Sequence, residues 1–238
     1  MSYVPVAIIG AMDEEIARLL DRLQENRRLR YAGIDFYVGR LDDVDVVVCK
    51  SGVGKVNAAM CAQILIDRFH VKSIIFTGVA GALAPHLDIG DIVISKDLRQ
   101  HDIDVSALGF APGTIPFAER SVFEADSGLV QLAEQSAAEI KGTHCYTGTI
   151  LSGDQFIADR EKVRQLHEQF GGLCTEMEGA AVAQVCAMNE VPFVVIRSMS
   201  DKADGSASVN FAEFTVRAAE QSVQLVSGMI RRLSSVGK

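Results

Sequence analysis

The chain has 238 residues, of which 48% are hydrophobic, and a formal net charge of −8. That length suits one large domain over residues 1–238, and the acidic balance argues against nucleic acid as a partner. No apolar run reaches the about 20 residues that a membrane span needs, and the five cysteines (49, 61, 145, 174, 186) are scattered without a Cys-x-x-Cys pair, so reduced thiols in the cytoplasm fit better than a zinc site or a disulfide framework.

VPVAIIG (4–10) is a short apolar run ending in glycine, which predicts a buried first strand. The N-terminus, MSYVPVAIIG, lacks a basic leader region and so does not read as a signal peptide. An acidic helix is expected over 13–25, with Ile16, Leu19, Leu20 and Leu23 on one face; the basic cluster Arg27, Arg28 and Arg30 reads as a solvated helix end. IDFYVG (34–39) and VDVVVCK (44–50) predict two strands around a turn at Leu41-Asp42-Asp43. SGVGKVNAAMCAQILIDRF (51–69) begins with a glycine turn and continues as an apolar helix, and SIIFTGVAGAL (73–83) repeats the pattern of strand, glycine turn and small residues.

DIVISKDLRQHD (91–102) is another strand. From Val105 to Arg120 no period is visible, and Pro112, Gly113 and Pro116 mark a long loop of the kind that is often functional. A helix over 127–141, a strand over 146–154, helices over 159–170 and 180–189, a strand over 193–201 and a last helix over 210–233 complete the pattern. Strands alternating with helices predict an α/β layer fold, and the extended 29–50 and 91–104 regions add antiparallel strands, so the sheet is expected to be mixed. Ligands in such sheets collect at the carboxyl ends of strands. The polar junctions GAMDEE, SGVGK, TGVAG, SGDQF, EMEG and SMSD fall there.

SGVGK (51–55) is not a triphosphate loop, because Val56 follows Lys55, and TGVAG (77–81) does not complete a dinucleotide fingerprint; both read first as turns. The acids are more informative. Glu15, Glu178 and Asp201 each sit at a strand end. Any one of them alone would read as a helix cap or a favourable acid at a helix N-terminus; three at equivalent positions suggest convergence on one cleft. Glu176 would point away from Glu178 in an extended segment, leaving Glu178 inward and Glu176 in support. Arg197 lies in an otherwise apolar strand and needs an acidic partner. It reads either as a structural ion pair or as a group orienting a carboxylate or water beside Glu15. His101 has no companions at metal-ligand spacing, so no metal is expected.

GAMDEE, SGVGKVNAA, TGVAG, QHDIDVSA, SGDQF, EMEGAA and RSMSD occur here in this order. Together they resemble the 5′-methylthioadenosine/S-adenosylhomocysteine nucleosidase family of the purine nucleoside phosphorylase-like superfamily, from Val6 to about Leu233. The resemblance implies a three-layer α/β/α sandwich with a central mixed, twisted sheet, a homodimer, a place in methionine salvage, and no metal or organic cofactor. It implies hydrolysis of the N-glycosidic bond of adenine nucleosides with a 5′-thioether, and of 5′-deoxyadenosine. It further implies Glu15 as general base, Asp201 beside the purine with Ser200, Arg197 on the nucleophilic water, and Glu178 on the ribose against Met177. Phe156 is implied to stack on adenine, with the backbone of Ile157 at its edge. Met12, Val53 and Phe211 are implied around the 5′ substituent, and Val105, Leu108 and Pro116 in the partner subunit's pocket.

Two departures stand out: Val79 where many relatives have serine, and Leu108 where an aromatic residue is common. Valine at 79 also resembles members acting on 6-amino-6-deoxyfutalosine. That activity, a phosphate-dependent phosphorylase and a nucleoside-binding protein without turnover are the alternatives.

Overall fold

The computed structural model describes residues 5–202 and 207–236, without the side chains of 207–217, 219, 235 and 236. Five strands carry the middle of the sheet: β1 (Val6–Gly10), β4 (Val44–Lys50), β5 (Ser73–Ala82), β6 (Ile92–Gln100) and β10 (Phe193–Asp201). β1 lies between β4 and β5, parallel to both. The period of two in a strand sends alternate residues of β1 to opposite faces. Ala7 and Ile9 pack in one apolar cluster and Val6 and Ile8 in another. The first cluster takes residues from α2 (Lys55–Phe69) and α5 (Gly179–Met188), including Leu65 and Val182. The second takes residues from α1 (Asp13–Arg22), α3 (Ser127–Ala137) and α6 (Ala207–Val236), including Leu19, Leu129 and Met229. Helices therefore cover both faces of a mixed sheet, as expected.

The sheet is also partly closed. β5 pairs with β10, β10 with β6, β6 with β8 (Cys145–Ser152), β8 with β9 (Cys174–Glu176), and β9 returns to β5. These strands form a ring, while β1 and β4 lead out from it to β3 (Ile34–Leu41) and β2 (Gln24–Tyr31).

Three expectations are corrected. The first helix ends at Arg22, and Arg27, Arg28 and Arg30 lie not on a helix end but on β2, paired antiparallel with β3. This strand is missed because it is an exposed edge with charges in place of apolar alternation, the usual protection against further strand pairing. Its hairpin loop, Ala32-Gly33, has both residues at positive φ, 47° and 80°, the two-residue geometry that matches strand twist. Second, β5 does not turn at its glycines but runs straight through Gly78. Third, the helix expected over 127–141 stops at Ala137. The expected Leu41-Asp42-Asp43 turn is present, with Asp42 and Asp43 at φ 44° and 65°. Residues 105–120 are irregular apart from a 3₁₀ turn at Ser106–Leu108 and a short β-strand, β7 (Val122–Glu124), follows against β6. The charged helix α4 (Arg160–Phe170) is capped by Asp159, whose side chain accepts from Lys162 N. No helix among the described residues is long and apolar enough to cross a membrane.

Gly39 in β3 has no room for a side chain: a Cβ would sit 2.4 Å from the Gln24 carbonyl oxygen and 2.8 Å from Leu23 Cγ. Gly39→Ala is expected to destabilise by about 1–3 kcal/mol, read as a lower thermal midpoint. An unchanged midpoint would mean that the β2 backbone yields.

Candidate active site

A cavity of about 280 Å³ opens where β1, β5, β9 and β10 end. The residues after β1 give it Ala11, Met12 and Glu15, the turn before α2 gives Val53, and β5 gives Val79, Ala80 and Gly81. The segment after β8 contributes Gln155, Phe156 and Ile157; β9 and its junction with α5 contribute Thr175, Glu176, Met177 and Glu178; β10 ends in Ser200 and Asp201. Of the expected site residues, Met12, Glu15, Val53, Val79, Phe156, Ile157, Met177, Glu178, Ser200 and Asp201 line this one cavity. Val105, Leu108 and Pro116 do not line it, and the side chain of Phe211 lies outside the described residues.

Glu15 stands in the first turn of α1 and is 3% exposed. Its Oε2 accepts from Ala11 N (2.6 Å) and Met12 N (3.0 Å), and its Oε1 from Val79 N (3.1 Å). Glu15 is therefore both a helix cap and a cavity wall. Burial raises its pKa, against the opposing pull of Arg197 and the backbone donors. Val79 reaches this carboxylate through its backbone, so the contact is independent of the side chain at 79. The approach depends on Gly78, where a Cβ would lie 2.7 Å from Glu15 Oε1.

Glu178 accepts from Gly54 N at 2.7 Å. Burial and the neighbouring Glu176 push its pKa up to about 7, with Gly54 N–H and Arg197 acting the other way. The SGVGK segment is thus a turn that delivers a donor to an acid, with Gly52 and Gly54 at φ 83° and 97°. Lys55 Nζ binds Asp102 (2.7 Å) and Gln100 (3.0 Å). Asp154 accepts from Lys55 N at 2.8 Å and donates its own N–H to Asp102 at 2.9 Å. This clip ties the start of α2 to the segment that carries Phe156.

Arg197, expected beside the nucleophilic water, stands behind the cavity lining. It is 1% exposed and does not line the cavity. Its Nη2 and Nε donate to Glu176 Oε2 at 2.6 and 3.2 Å, and its Nη1 donates to the carbonyls of Ile196 and Phe76 at 3.1 and 3.3 Å. The partner that a buried arginine requires is Glu176. That residue does not point away from Glu178: the chain leaves the extended conformation after β9, with Glu178 at φ −140°, ψ −41°, and both acids reach the cavity wall. At the end of β10 Ser200 Oγ donates to Asp201 Oδ1 at 2.7 Å, and Asp201 is 2% exposed. Phe156 stands at the mouth, 59% exposed. His101 is buried away from the cavity, and burial favours its neutral form. No group of three or more His, Cys, Asp or Glu among the described residues is placed to hold a metal ion.

The wall thus presents Glu15, Glu176, Glu178 and Asp201 around an otherwise apolar space. Such a surface stabilises positive charge and disfavours anions.

The chain matches the phosphorylase superfamily over residues 5–231. It is 45% identical over 233 residues to the 5′-methylthioadenosine/S-adenosylhomocysteine nucleosidase of Geobacillus thermodenitrificans, covering 98% of each chain. It is similar to the crystal structure of the Neisseria meningitidis nucleosidase of the same name in complex with methylthio-immucillin-A, with a TM-score of 0.92, 37% identity, and 96% of this chain and 99% of that chain covered. A Colwellia psychrerythraea nucleosidase in complex with adenine gives a TM-score of 0.91 at 40% identity, with 96% of this chain and 95% of that chain covered.

The raised pKa of Glu178 has a consequence for stability. Its contribution is full below the unfolded value of about 4.5 and is lost as pH rises through about 7. Glu178→Gln keeps an acceptor for Gly54 N–H and removes that loss. In thermal melts without ligand between about pH 5 and pH 8, the variant should gain on the parent as pH rises. A constant difference would contradict the raised value.

Proposed function

The chain belongs to the 5′-methylthioadenosine/S-adenosylhomocysteine nucleosidases of the phosphorylase superfamily and hydrolyses the N-glycosidic bond of these nucleosides to release adenine, and we propose that Glu15, Glu178 and Asp201 divide the chemistry among them. The supporting observation is that these three carboxyl groups, from three separate strand ends, line the same cavity.

Adenine leaves poorly as an anion, so a proton must reach the base as the bond breaks. Asp201 is the donor in this reading, aided by the Ser200 hydroxyl that it already binds. Bond cleavage develops an oxocarbenium-like ribosyl cation. Glu15 orients water, takes its proton and stabilises that charge. Its burial raises its proton affinity above that of an ordinary carboxylate. Glu178 accepts from the ribose hydroxyls with Met177 against the sugar. Phe156 stacks on adenine and the backbone of Ile157 meets its edge. Arg197 acts in this scheme from behind the wall, through Glu176.

Water rather than phosphate is the acceptor because the position it must take is bordered by carboxylates, and the nearby guanidinium is already engaged. Met12 and Val53 form the side that receives the 5′-thioether in this reading. The reading includes a homodimer in which Val105, Leu108 and Pro116 complete the partner's pocket. It is supported by the exposed apolar side chains Val53, Val56, Leu108 and Phe117, which are 50%, 79%, 69% and 93% exposed. Four buried free thiols, Cys49, Cys61, Cys174 and Cys186, support residence in the reducing cytoplasm.

Asp201→Asn should lower kcat by about 10²–10⁴-fold in an assay of adenine release, with a smaller change in KM. Activity equal to the parent would remove Asp201 from the acid role. Methylthioadenosine should be cleaved in phosphate-free buffer to free thioribose and much more efficiently than adenosine, since each buried methylene contributes about 0.8 kcal/mol and a 5′-hydroxyl lacks a partner in an apolar pocket. Strict phosphate dependence, or equal kcat/KM for the two nucleosides, would overturn these assignments.

A further inference from the structure

Glu176 touches no reacting group in the scheme above, yet it is a heavily engaged carboxylate of the cavity wall. It accepts from Gly179 N at 2.9 and 2.7 Å, from Glu178 N at 3.3 Å and from the Ser152 hydroxyl, besides its two contacts from Arg197. Arg197 also stands close to Glu15. A Cβ on Gly78 would lie 2.7 Å from Glu15 Oε1 and 3.3 Å from Arg197 Nη1, so those two atoms are no farther apart than the sum of these distances. Left without Glu176, the guanidinium has Glu15 and Glu178 as its remaining carboxylate neighbours, with Glu15 the more strongly felt, and a salt-bridged carboxylate is a weak base.

We infer that Glu176 is a positioning residue: by binding Arg197 through Nε and Nη2 it holds the guanidinium off Glu15 and keeps that carboxylate free to act on water. The inference rests on the reading of Glu15 as the base. Among the described residues, the charged groups around Glu15 are Arg197 and Asp201 from β10, Glu176 from β9, Glu178 at the start of α5, and the exposed Asp13 and Glu14 of its own helix; β1 and β5 bring none. Arg197 is the one buried cation near Glu15 among the described residues; Arg18, further along α1, and Lys50 of β4 are exposed and paired with Glu220 and Asp13. Glu176 therefore acts as a decoy for the charge that would otherwise quench the base.

The test is the pH profile of kcat/KM for adenine release by Glu176→Gln, which removes the charge but keeps an acceptor for the Gly179 N–H. The acid limb should move down by about one pH unit or more, the shift an opposite charge at close range produces in a carboxylate, and the plateau should fall about tenfold. A crystal structure of the variant should find Arg197 turned toward Glu15. A purely structural role predicts a uniform loss at every pH with the limb unmoved; that result, or Arg197 still seated on residue 176, would overturn the inference. Should Glu176→Gln fold too poorly to assay, Glu176→Asp withdraws the carboxylate by one methylene and should move the limb in the same direction by less; an unmoved limb there is equally fatal. Glu15→Gln run alongside separates the two claims. If that variant stays active, the base assignment fails. If it is inactive while the Glu176→Gln limb stays in place, only the role of Glu176 fails.

Discussion

Arg197 and Glu176 are taken out of water together, with side chains 1% and 2% exposed, and their ion pair joins β10 to β9 directly behind the cavity. Removing one member of such a pair costs about 3–5 kcal/mol because the other is left buried and uncompensated. Here the pair also organises its surroundings. The guanidinium lies over the Phe76 ring at 4.1 Å, and its remaining nitrogen holds two backbone carbonyls. The carboxylate caps α5 through Gly179 and gathers Ser152 from β8. Strands β5, β8, β9 and β10 are thereby tied at one point. The acids assigned to the chemistry hang from these same strand ends and from α1.

The wall balances carboxylates against fixed donors more than against cations. Glu15 has three backbone N–H groups and Glu178 has one. Backbone donors cannot rotate away when a substrate enters, and among the described residues no lysine or arginine lines the cavity. The substitution of valine at 79 fits this arrangement, because the part of the residue that touches Glu15 is present whatever side chain follows it.

Much of this was legible in the sequence. The strand ends announced themselves through apolar runs that stop at GAM, EMEG and SMSD, and the order of these junctions carried the family resemblance. Glu15, Glu178 and Asp201 were readable as a set because strand ends in an α/β sheet share an edge. What sequence could not supply was pairing. Arg197 demanded an acid, but whether Glu176, Glu178 or Glu15 answered depended on where the chain turned after β9. Edge strand β2 was hidden for a different reason: its charges serve exposure, so it shows no alternation to detect. Gly78 was misread as a turn because glycine permits both a bend and a close approach, and only the neighbouring carboxylate tells which is in use.

The closed circuit of β5, β10, β6, β8 and β9 sets a limit on how this molecule can breathe. An open sheet can fan apart at its edge, but strands hydrogen-bonded into a loop must keep their girth unless ladder bonds break. Glu176 and Asp201, carried by β9 and β10, are thus mounted on a rigid hoop. Admission of a nucleoside and escape of adenine then fall to what is attached to the rim, above all the stretch bearing Phe156, whose ring stands out in solvent beside an otherwise sheltered hollow.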